Sequence, residues 1–558
     1  MTGDTALSPS DPYARASETF PRLSDEQVAR VAAFGSVEDL PRGTVLFERD
    51  DRGVDFFLVL RGHVEIYEDA PDGSPLVMTV HAEHQFTGEL DLFTDRAILV
   101  GGRMGVDGRV ARLTRPQFRR MLAAEPDVAE TVMRAFILRR AGFISHGQAA
   151  VTIVASRSAG HSLRTQAFLT RNGHPFVVVD LDTEPERALR LLRERGLDAA
   201  DAPVVVCGQT VLVRPTVREV ADSLGISEPL DPAAVADVAV VGAGPAGLAA
   251  AVYAASEGLH TVVLEAEAPG GQAGTSSRIE NYLGFPTGVS GQALAARAQV
   301  QAQKFGARIV VPRRVERLGC DGPLHVLHLD DGTDVRARTV VVATGARYRS
   351  LDLDVDRFES SGVHYAATAV EAGMCGGEEV AVVGAGNSAG QAAVFLSRHA
   401  RHVHVLVRGD GLAASMSEYL VSRIEAAPDR ITVHTRTEVT AVAGDRSLES
   451  VTWTRNDTGE SETRPVTSLF LMLGAVPNTE WLGGAVDLDA KGFVRCGHVA
   501  ERGDPTADRV PGLLETSRPG VFAVGDVRSG SVKRVASAVG EGSIVVSHVH
   551  THIGAAGP

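Results

Sequence analysis

Between Leu40 and about Val110 the apolar residues come in short runs, TVLFE, DFFLVLRG, HVEIYED, LVMTV and ILVGGRMGV, with Gly and Asp between them. Many short strands at this spacing predict a small β-barrel or jelly roll. The period then changes, and Thr114 to Ala141 reads as one amphipathic helix. Residues 151–226 change texture again. VTIVAS, PFVVVDLD and PVVVCGQTVLV read as strands, and HSLRTQAFLTRNG, PERALRLLRERG and VREVADSLG as helices. That β-α-β-α-β-β-α order predicts a compact α/β domain. The polar residues 1–20 are predicted to be disordered, and 227–236 (SEPLDPAAVA) to be a linker. From Asp237 onward the chain twice runs from a buried strand through a glycine turn and a helix to another strand. The fold class expected is therefore multidomain: an N-terminal β-roll plus helices, a central α/β domain, and a C-terminal α/β part with two dinucleotide-binding domains.

The length of 558 residues fits three or four domains. Apolar residues make up 44% and charged residues 22%, so the chain carries enough apolar material for several cores. Its formal charge of −15 argues against nucleic acid and anionic membranes, which need a basic face. Lysine is rare (Lys304, Lys491 and Lys533), which reads as codon bias rather than function. The four cysteines, Cys207, Cys320, Cys375 and Cys496, form no CxxC, so neither a disulfide framework nor a zinc site is expected. Val238–Ser256 is uncharged, but Gly242, Gly244, Pro245 and Gly247 in its first half favour strand, turn and helix over a membrane span. No leader is read in the N-terminal residues. The expectation is a soluble cytoplasmic protein with no membrane, nucleic-acid or metal partner. The tail His548-x-His550-x-His552 would share one face on a strand, yet without Cys or carboxylate company it predicts no metal.

The first glycine unit reads Gly242-x-Gly244-x-x-Gly247 and ends its second strand at Glu265. The first glycine allows the tight turn, the second lets backbone approach a pyrophosphate, and the third lets helix and strand pack closely. Helix N-terminal amides face the phosphates, and the acid suits a ribose diol. The second unit repeats the design with Gly384, Gly386 and Ala389, followed by Arg408 where the first has an acid. A cation there suits a 2′-phosphate, favouring NADPH, with NADH as the alternative.

Around these units the sequence resembles the low-molecular-weight thioredoxin reductase family. The strings are GGQAGTSSRIENYLGFP (Gly270–Pro286), ATG (Ala343–Gly345), LGAVPNT (Leu473–Thr479), TSRPGVFAVGDV (Thr516–Val527) and RVASAVGEG (Arg534–Gly542). The resemblance implies FAD contacts from Ala246, Gly271, Gln272, Asn281, Val315, Thr344, Gly345, Asp526, Arg534, Val535 and Ala536. It also implies NADPH contacts that include Asn387 and Ser388. Val535 stands where the family has Gln, so a side-chain contact is missing. The implied layout is a discontinuous FAD domain (237–350 and 470–550) enclosing an NAD(P)H domain (351–469), in a homodimer.

The departures redirect the chemistry. The family's reactive segment reads Gly-Val-x-Tyr-Cys-Ala-Thr-Cys; here Gly362–Ala369 is GVHYAATA, with Ala366 and Ala369 in place of both cysteines. Alanine forms neither thiolate nor mixed disulfide. Residues 150–226 resemble glutaredoxin, with Pro203 at the family's cis-proline position. Its CxxC would fall at Ala159-Gly160-His161-Ser162, where it too is absent. Residues 20–145 resemble a cyclic-nucleotide-binding domain through GTVLFERDD, FFLVLRGHVEIY and FTGELDLF. Its nucleotide contacts would be Glu89 and Arg96, but the segment between them is short and Asp91 adds negative charge, which argues against binding.

These features predict an FAD-dependent NAD(P)H oxidoreductase that passes hydride from NADPH to FAD without a redox-active CxxC. The acceptor is open among oxygen, a quinone, a ferredoxin or another flavoprotein. Two alternatives stand beside it: a flavin-containing sensor with a degenerate nucleotide domain, and a thioredoxin-disulfide reductase using remote cysteines.

Overall fold

The computed structural model describes residues 11–69, 74–88, 90–93, 96–146, 151–156, 159–208, 210–276, 279, 282–353, 355, 358, 361–365, 367, 369–445, 447–497 and 511–555. The chain forms two compact units. One comprises Met1–Arg157, Thr165–Leu230 and Val300–Pro312; the other comprises Ser158–Arg164, Asp231–Gln299 and Arg313–Pro558.

The first unit opens with a β-roll of two antiparallel sheets. Ser36–Leu40, Gly108–Leu113 and Phe56–Arg61 form one, in that order; Val45–Phe47, Gly101–Met104, Val64–Asp69 and Pro75–His81 form the other. Phe56, Phe86, Phe118 and Phe136 are fully buried; Phe56 stacks on Phe86 and Phe118, and Phe136 meets Phe86 edge-on and Phe118 at a tilt. At Gly102 an added Cβ would meet the Phe47 ring at 2.4 Å, so glycine lets the ring lie flat on the backbone.

Three local expectations change here. The stretch 114–141 is two helices, Arg115–Ala124 and Pro126–His146. Pro126 causes the break, because a proline disfavours helical backbone in the residue before it, and Glu125 accordingly sits at φ −121°, ψ 77°. Within the polar N-terminus, Pro12–Arg15 and Ala16–Thr19 are helical turns. They are held by the Asp11 carboxylate, which accepts from Tyr13 N–H, and by the completely buried Thr19. The 227–236 stretch is no free linker: Ser227 and Glu228 are buried, and the next strand already begins at Val235.

Residues 151–226 follow the expected element order. Thr210–Val213, Val204–Cys207, Val151–Ala155 and Phe176–Asp180 form a four-stranded sheet in that order, its last pair parallel and the others antiparallel. The Ala202–Pro203 peptide bond is cis.

In the second unit, Val235–Val241 lies between Thr261–Leu264 and Asp334–Val342, all parallel, and Val521–Ala523 adds parallel to the last. The paired stretches Val238–Val241, Thr261–Leu264, Val340–Val342 and Val521–Ala523 are apolar but for Thr261 and almost wholly buried, as expected of parallel strands covered on both faces. A second, wholly parallel sheet runs in the order Val363–His364, Ser468–Leu471, Glu379–Val383, His402–Val407 and Ile431–Thr435. Phe470 and Leu471 pair with Val382 and Val383 in this sheet, so the return from the second domain comes after Leu471 rather than at residue 470. The chain leaves and re-enters through the antiparallel pair Ala346–Tyr348 and Ala475–Pro477.

Candidate functional site

Both glycine turns are built alike. Gly242 has φ +100°, donates its N–H to Leu264 O at 2.8 Å, and has Ala343 O where a Cβ would lie, at 2.5 Å. Gly384 has φ +140°, donates to Leu406 O at 3.1 Å, and has Met472 O 2.4 Å from an added Cβ. Only glycine adopts these angles without strain. In the first turn Gly247 is also obligatory, because its Cβ would fall 2.0 Å from Gly242 O. In the second, the completely buried methyl of Ala389 occupies the equivalent place, so that helix stands far enough from its turn to admit a methyl.

The helix Pro245–Ser256 starts at Gly244 with proline in its first turn, which leaves its unpaired N-terminal amides at the glycine turn. An added Cβ on Gly244 would meet only Gly271 Cα, at 4.0 Å. Two bare glycine backbones thus face each other beside a helix N-terminus, an arrangement suited to an anionic pyrophosphate. Glu265 does more than the sequence implies. Its carboxylate accepts from Ala243 N–H at 2.7 Å and from Glu267 N–H at 2.9 Å, so it braces the turn. The Gln272 amide donates to Ala346 O. Buried Val315 opens the strand Val315–Asp321. Asn281 lies outside the described residues.

The Thr344–Gly345 turn is locked to Asn478, which the LGAVPNT string contains without a role assigned to it. Thr344 Oγ1 donates to Asn478 O at 2.8 Å, and Asn478 Nδ2 donates back to Thr344 O at 2.9 Å. Their separation in sequence hides this pair; only the nested topology brings them together. Glu541, inside the RVASAVGEG string, likewise has a role not assigned there: it accepts Gly525 N–H at 2.7 Å and ion-pairs with Arg528, holding the turn before Asp526. Burial raises the Asp526 pKa, partly offset by Lys533. No described residue hydrogen-bonds its carboxylate, so the group is positioned to accept from a bound hydroxyl. Gly542 draws the helix Val535–Ala555 onto the first helix, with Ala246 O 2.3 Å from its would-be Cβ. Arg534 precedes this helix, and Val535 and Ala536 form its first turn, where amide N–H groups lack intrahelical acceptors.

On the second turn, Gly386 caps the helix Asn387–Leu396, and no atom lies within 4 Å of its would-be Cβ. Asn387 Oδ1 accepts from Ser417 N–H at 2.7 Å, while Ser388 is exposed at the helix start. The Arg408 side chain is 85% exposed just past the strand His402–Val407, with Glu438 at 3.9 Å. A loosely held arginine there is available to a 2′-phosphate. Arg408→Ala is expected to weaken NADPH binding by roughly tenfold or more while sparing NADH, given about 1.5–3 kcal/mol for a charge-assisted contact. Dissociation constants for both nucleotides check this, and equal losses would remove Arg408 from that role.

Of the GVHYAATA segment, Ala366 and Thr368 lie outside the described residues, and Ala369 begins the helix Ala369–Met374. Gly362 has φ +134°, His364 is buried against Phe470, and Tyr365 Oη donates to Ser350 Oγ at 2.9 Å. None of the four cysteines is in a disulfide. Cys375 is a core residue whose Sγ donates to Glu371 O at 3.0 Å, and burial pushes its thiol pKa up. Burial pushes Cys496 to about 12. Both are therefore poor nucleophiles. The histidine tail is helical rather than extended, so residues two apart point in different directions. His550 meets Glu257 at 2.9 Å and His552 packs edge-on to Phe522. No group of three or more metal-ligating side chains occurs among the described residues. No described helix is long and apolar enough to cross a membrane. In the β-roll, Glu89 lies outside the described residues, and Arg96 donates to Asn172 O at 3.4 Å.

Two dinucleotide-type glycine turns, one closed by Glu265 and the other by the exposed Arg408, define the class of pyridine-nucleotide-linked flavoproteins. The family of pyridine nucleotide-disulphide oxidoreductases matches residues 236–542, more than half the chain, and the chain belongs to it. It is an oxidoreductase, and its thioredoxin reductase-like relatives use FAD and NADPH. The cyclic nucleotide-binding domain family matches residues 37–125. The chain is 35% identical over 318 residues to NADPH-dependent thioredoxin reductase 3 of Arabidopsis thaliana, covering 56% of this chain and 57% of that one. It is 33% identical to thioredoxin reductase of Streptomyces coelicolor, covering 55% and 91%. The Lactococcus lactis thioredoxin reductase structure superposes with a TM-score of 0.51 at 26% identity, covering 57% and 98%. The chain thus spans little more than half of the plant relative but nearly all of the bacterial one.

Proposed function

We propose that this protein is an NADPH-oxidising flavoprotein that delivers electrons to an acceptor other than a protein dithiol. The observation that carries this reading is a mismatch. The first cradle keeps its three glycines, helix start and Glu265, and the second keeps Gly384, Gly386, its helix start and Arg408, whereas the reactive segment holds Ala366 and Ala369 instead of cysteines. The residues fit FAD at the first cradle. Gly244 and Gly271 leave room for a pyrophosphate, Glu265 and Asp526 can accept from hydroxyls, and the helix beginning at Val535 presents free amides. Bound FAD supplies a two-electron acceptor for the hydride of NADPH.

What the chain itself contributes is positioning. Gly384 and Gly386 admit the second pyrophosphate, Asn387 fixes the loop at Ser417, and Arg408 meets the 2′-phosphate. The acceptor belongs to the class of oxygen, quinones, ferredoxins or flavoproteins, since Ala366 and Ala369 offer no sulfur to a disulfide. The domain at 151–226 has a thioredoxin-like strand order with a cis Pro203 but no cysteine at Ala159 or Ser162. We read it as a glutaredoxin-like spacer or docking module without redox chemistry of its own. Anaerobic mixing with NADPH is expected to bleach the flavin absorbance completely within seconds. Persistent colour would favour the alternative of a flavin-bearing sensor.

A further inference from the structure

The β-roll encloses a cavity of about 260 Å³. Its wall is mostly apolar, with Phe20, Phe47, Ile66, Leu92, Leu99 and Phe143 contributing. A dry apolar cavity of about 150 Å³ already holds benzene, so this one has room for a larger body. Six polar side chains break the wall, Tyr13, Asp55, Thr79, His81, Thr87 and Arg139, and three of them, His81, Arg139 and Asp55, set its charge. His81 is 3% exposed, lies tilted against Phe20, and its Nδ1 has no hydrogen-bond partner among the described residues. Arg139 is also buried; its guanidinium donates to the carbonyls of Thr19, Phe86 and Gly88 at 2.8–3.1 Å. The acid in the wall, Asp55, is already paired with Arg112 at 2.6 Å. The fields of Arg139 and of that neutralised pair together favour one negative charge inside.

A cyclic nucleotide fits this wall poorly. It would bring a ribose, a phosphate and a base with many polar atoms to a mostly apolar surface whose Arg139 and Asp55 are already engaged, at a cost for each group left unpaired. Arg96, the sequence candidate for the phosphate, does not line the cavity and donates instead to Asn172 O.

We infer that this cavity binds a small hydrophobic monocarboxylate, its apolar body against the phenylalanine and aliphatic wall and its carboxylate accepting from His81 on the Arg139 side. An unpaired imidazole nitrogen buried without a partner is costly, and a ligand carboxylate satisfies it with a donor from the neutral ring. The ligand belongs to the class of aryl or medium-chain acids.

Equilibrium dialysis of the full-length, flavin-loaded protein against 1-naphthoate, naphthalene and cyclic AMP tests this. The expected result is one 1-naphthoate per chain and no saturable cyclic AMP binding. Val100→Phe, which fills the cavity from its wall, is expected to weaken both naphthalene compounds by at least about tenfold. His81→Phe keeps the ring shape but removes the donor, and is expected to weaken 1-naphthoate by about tenfold while changing naphthalene by less than about threefold. Flavin content, read from the visible spectrum, verifies that each variant retains its loaded state. Absence of 1-naphthoate binding, cyclic AMP binding tighter than 1-naphthoate, or equal effects of His81→Phe on both naphthalene compounds would overturn the proposal. If one variant fails to fold, the other still decides it.

Discussion

Gly244→Trp is expected to yield a folded protein without flavin, and Gly247→Val a protein that loses fold and flavin together. The two positions lie three residues apart in one motif, yet they meet different surroundings. An added Cβ on Gly244 finds only Gly271 Cα at 4.0 Å, so the protein itself tolerates a side chain there. The indole then fills the space where two bare backbones face each other, and a pyrophosphate loses its approach to the helix amides. Two or more charge-assisted contacts are forfeited, about 3–6 kcal/mol in all, enough to leave the purified protein colourless. At Gly247 a Cβ would stand 2.0 Å from Gly242 O, and the obstacle is backbone held by the bond from Gly242 N–H to Leu264 O. Helix and strand must separate, which costs about 1–3 kcal/mol or more and disorders the cradle. Visible absorbance and far-ultraviolet circular dichroism together distinguish the outcomes. A yellow Gly244→Trp protein would refute the cradle.

The second large effect is a gain. Ala366→Cys combined with Ala369→Cys is expected to raise NADPH-driven reduction of a disulfide reporter at least about tenfold over the native chain. Flavin reduction by NADPH should stay within about twofold. The residues leading into the pair are fixed: Gly362 has φ +134°, Val363–His364 pairs with Leu469–Phe470, and Tyr365 is tied to Ser350. Two cysteines three residues apart can form a disulfide, and a thiolate there can attack a substrate disulfide. Failure of the double variant, with flavin reduction unimpaired, would show that the frame has lost its function as well as its sulfurs.

The glycine cradles were legible because glycine at a forced φ and a close approach leaves a trace in the sequence itself: Gly242, Gly247 and Gly384 are each required by an atom within 2.5 Å of a would-be Cβ. Alternating and continuous apolar runs gave the strands for the same reason, since burial on one or both faces dictates the pattern. What stayed hidden is long-range pairing between polar residues of ordinary type. Asn478 with Thr344 and Glu541 with Arg528 carry no local pattern, yet they fix the two turns that flank the cradle. The helix break at Glu125 was readable from Pro126 but was masked by unbroken amphipathic spacing on both sides. The histidine tail failed through its assumed period: spacing of two means one face on a strand and different faces on the helix that forms. The cavity of the β-roll was beyond sequence reading altogether, because Tyr13, His81 and Arg139 meet there from distant segments.

The measurement that bears most directly on the loss of dithiol chemistry is NADPH consumption by the native protein with oxidised thioredoxin as sole added acceptor under anaerobic conditions. The account predicts one rapid flavin reduction and then no turnover above the rate without thioredoxin, because Ala366 and Ala369 provide no sulfur and Cys375 is a buried thiol with a raised pKa. Sustained thioredoxin-dependent NADPH oxidation that disappears in Cys375→Ser would contradict it.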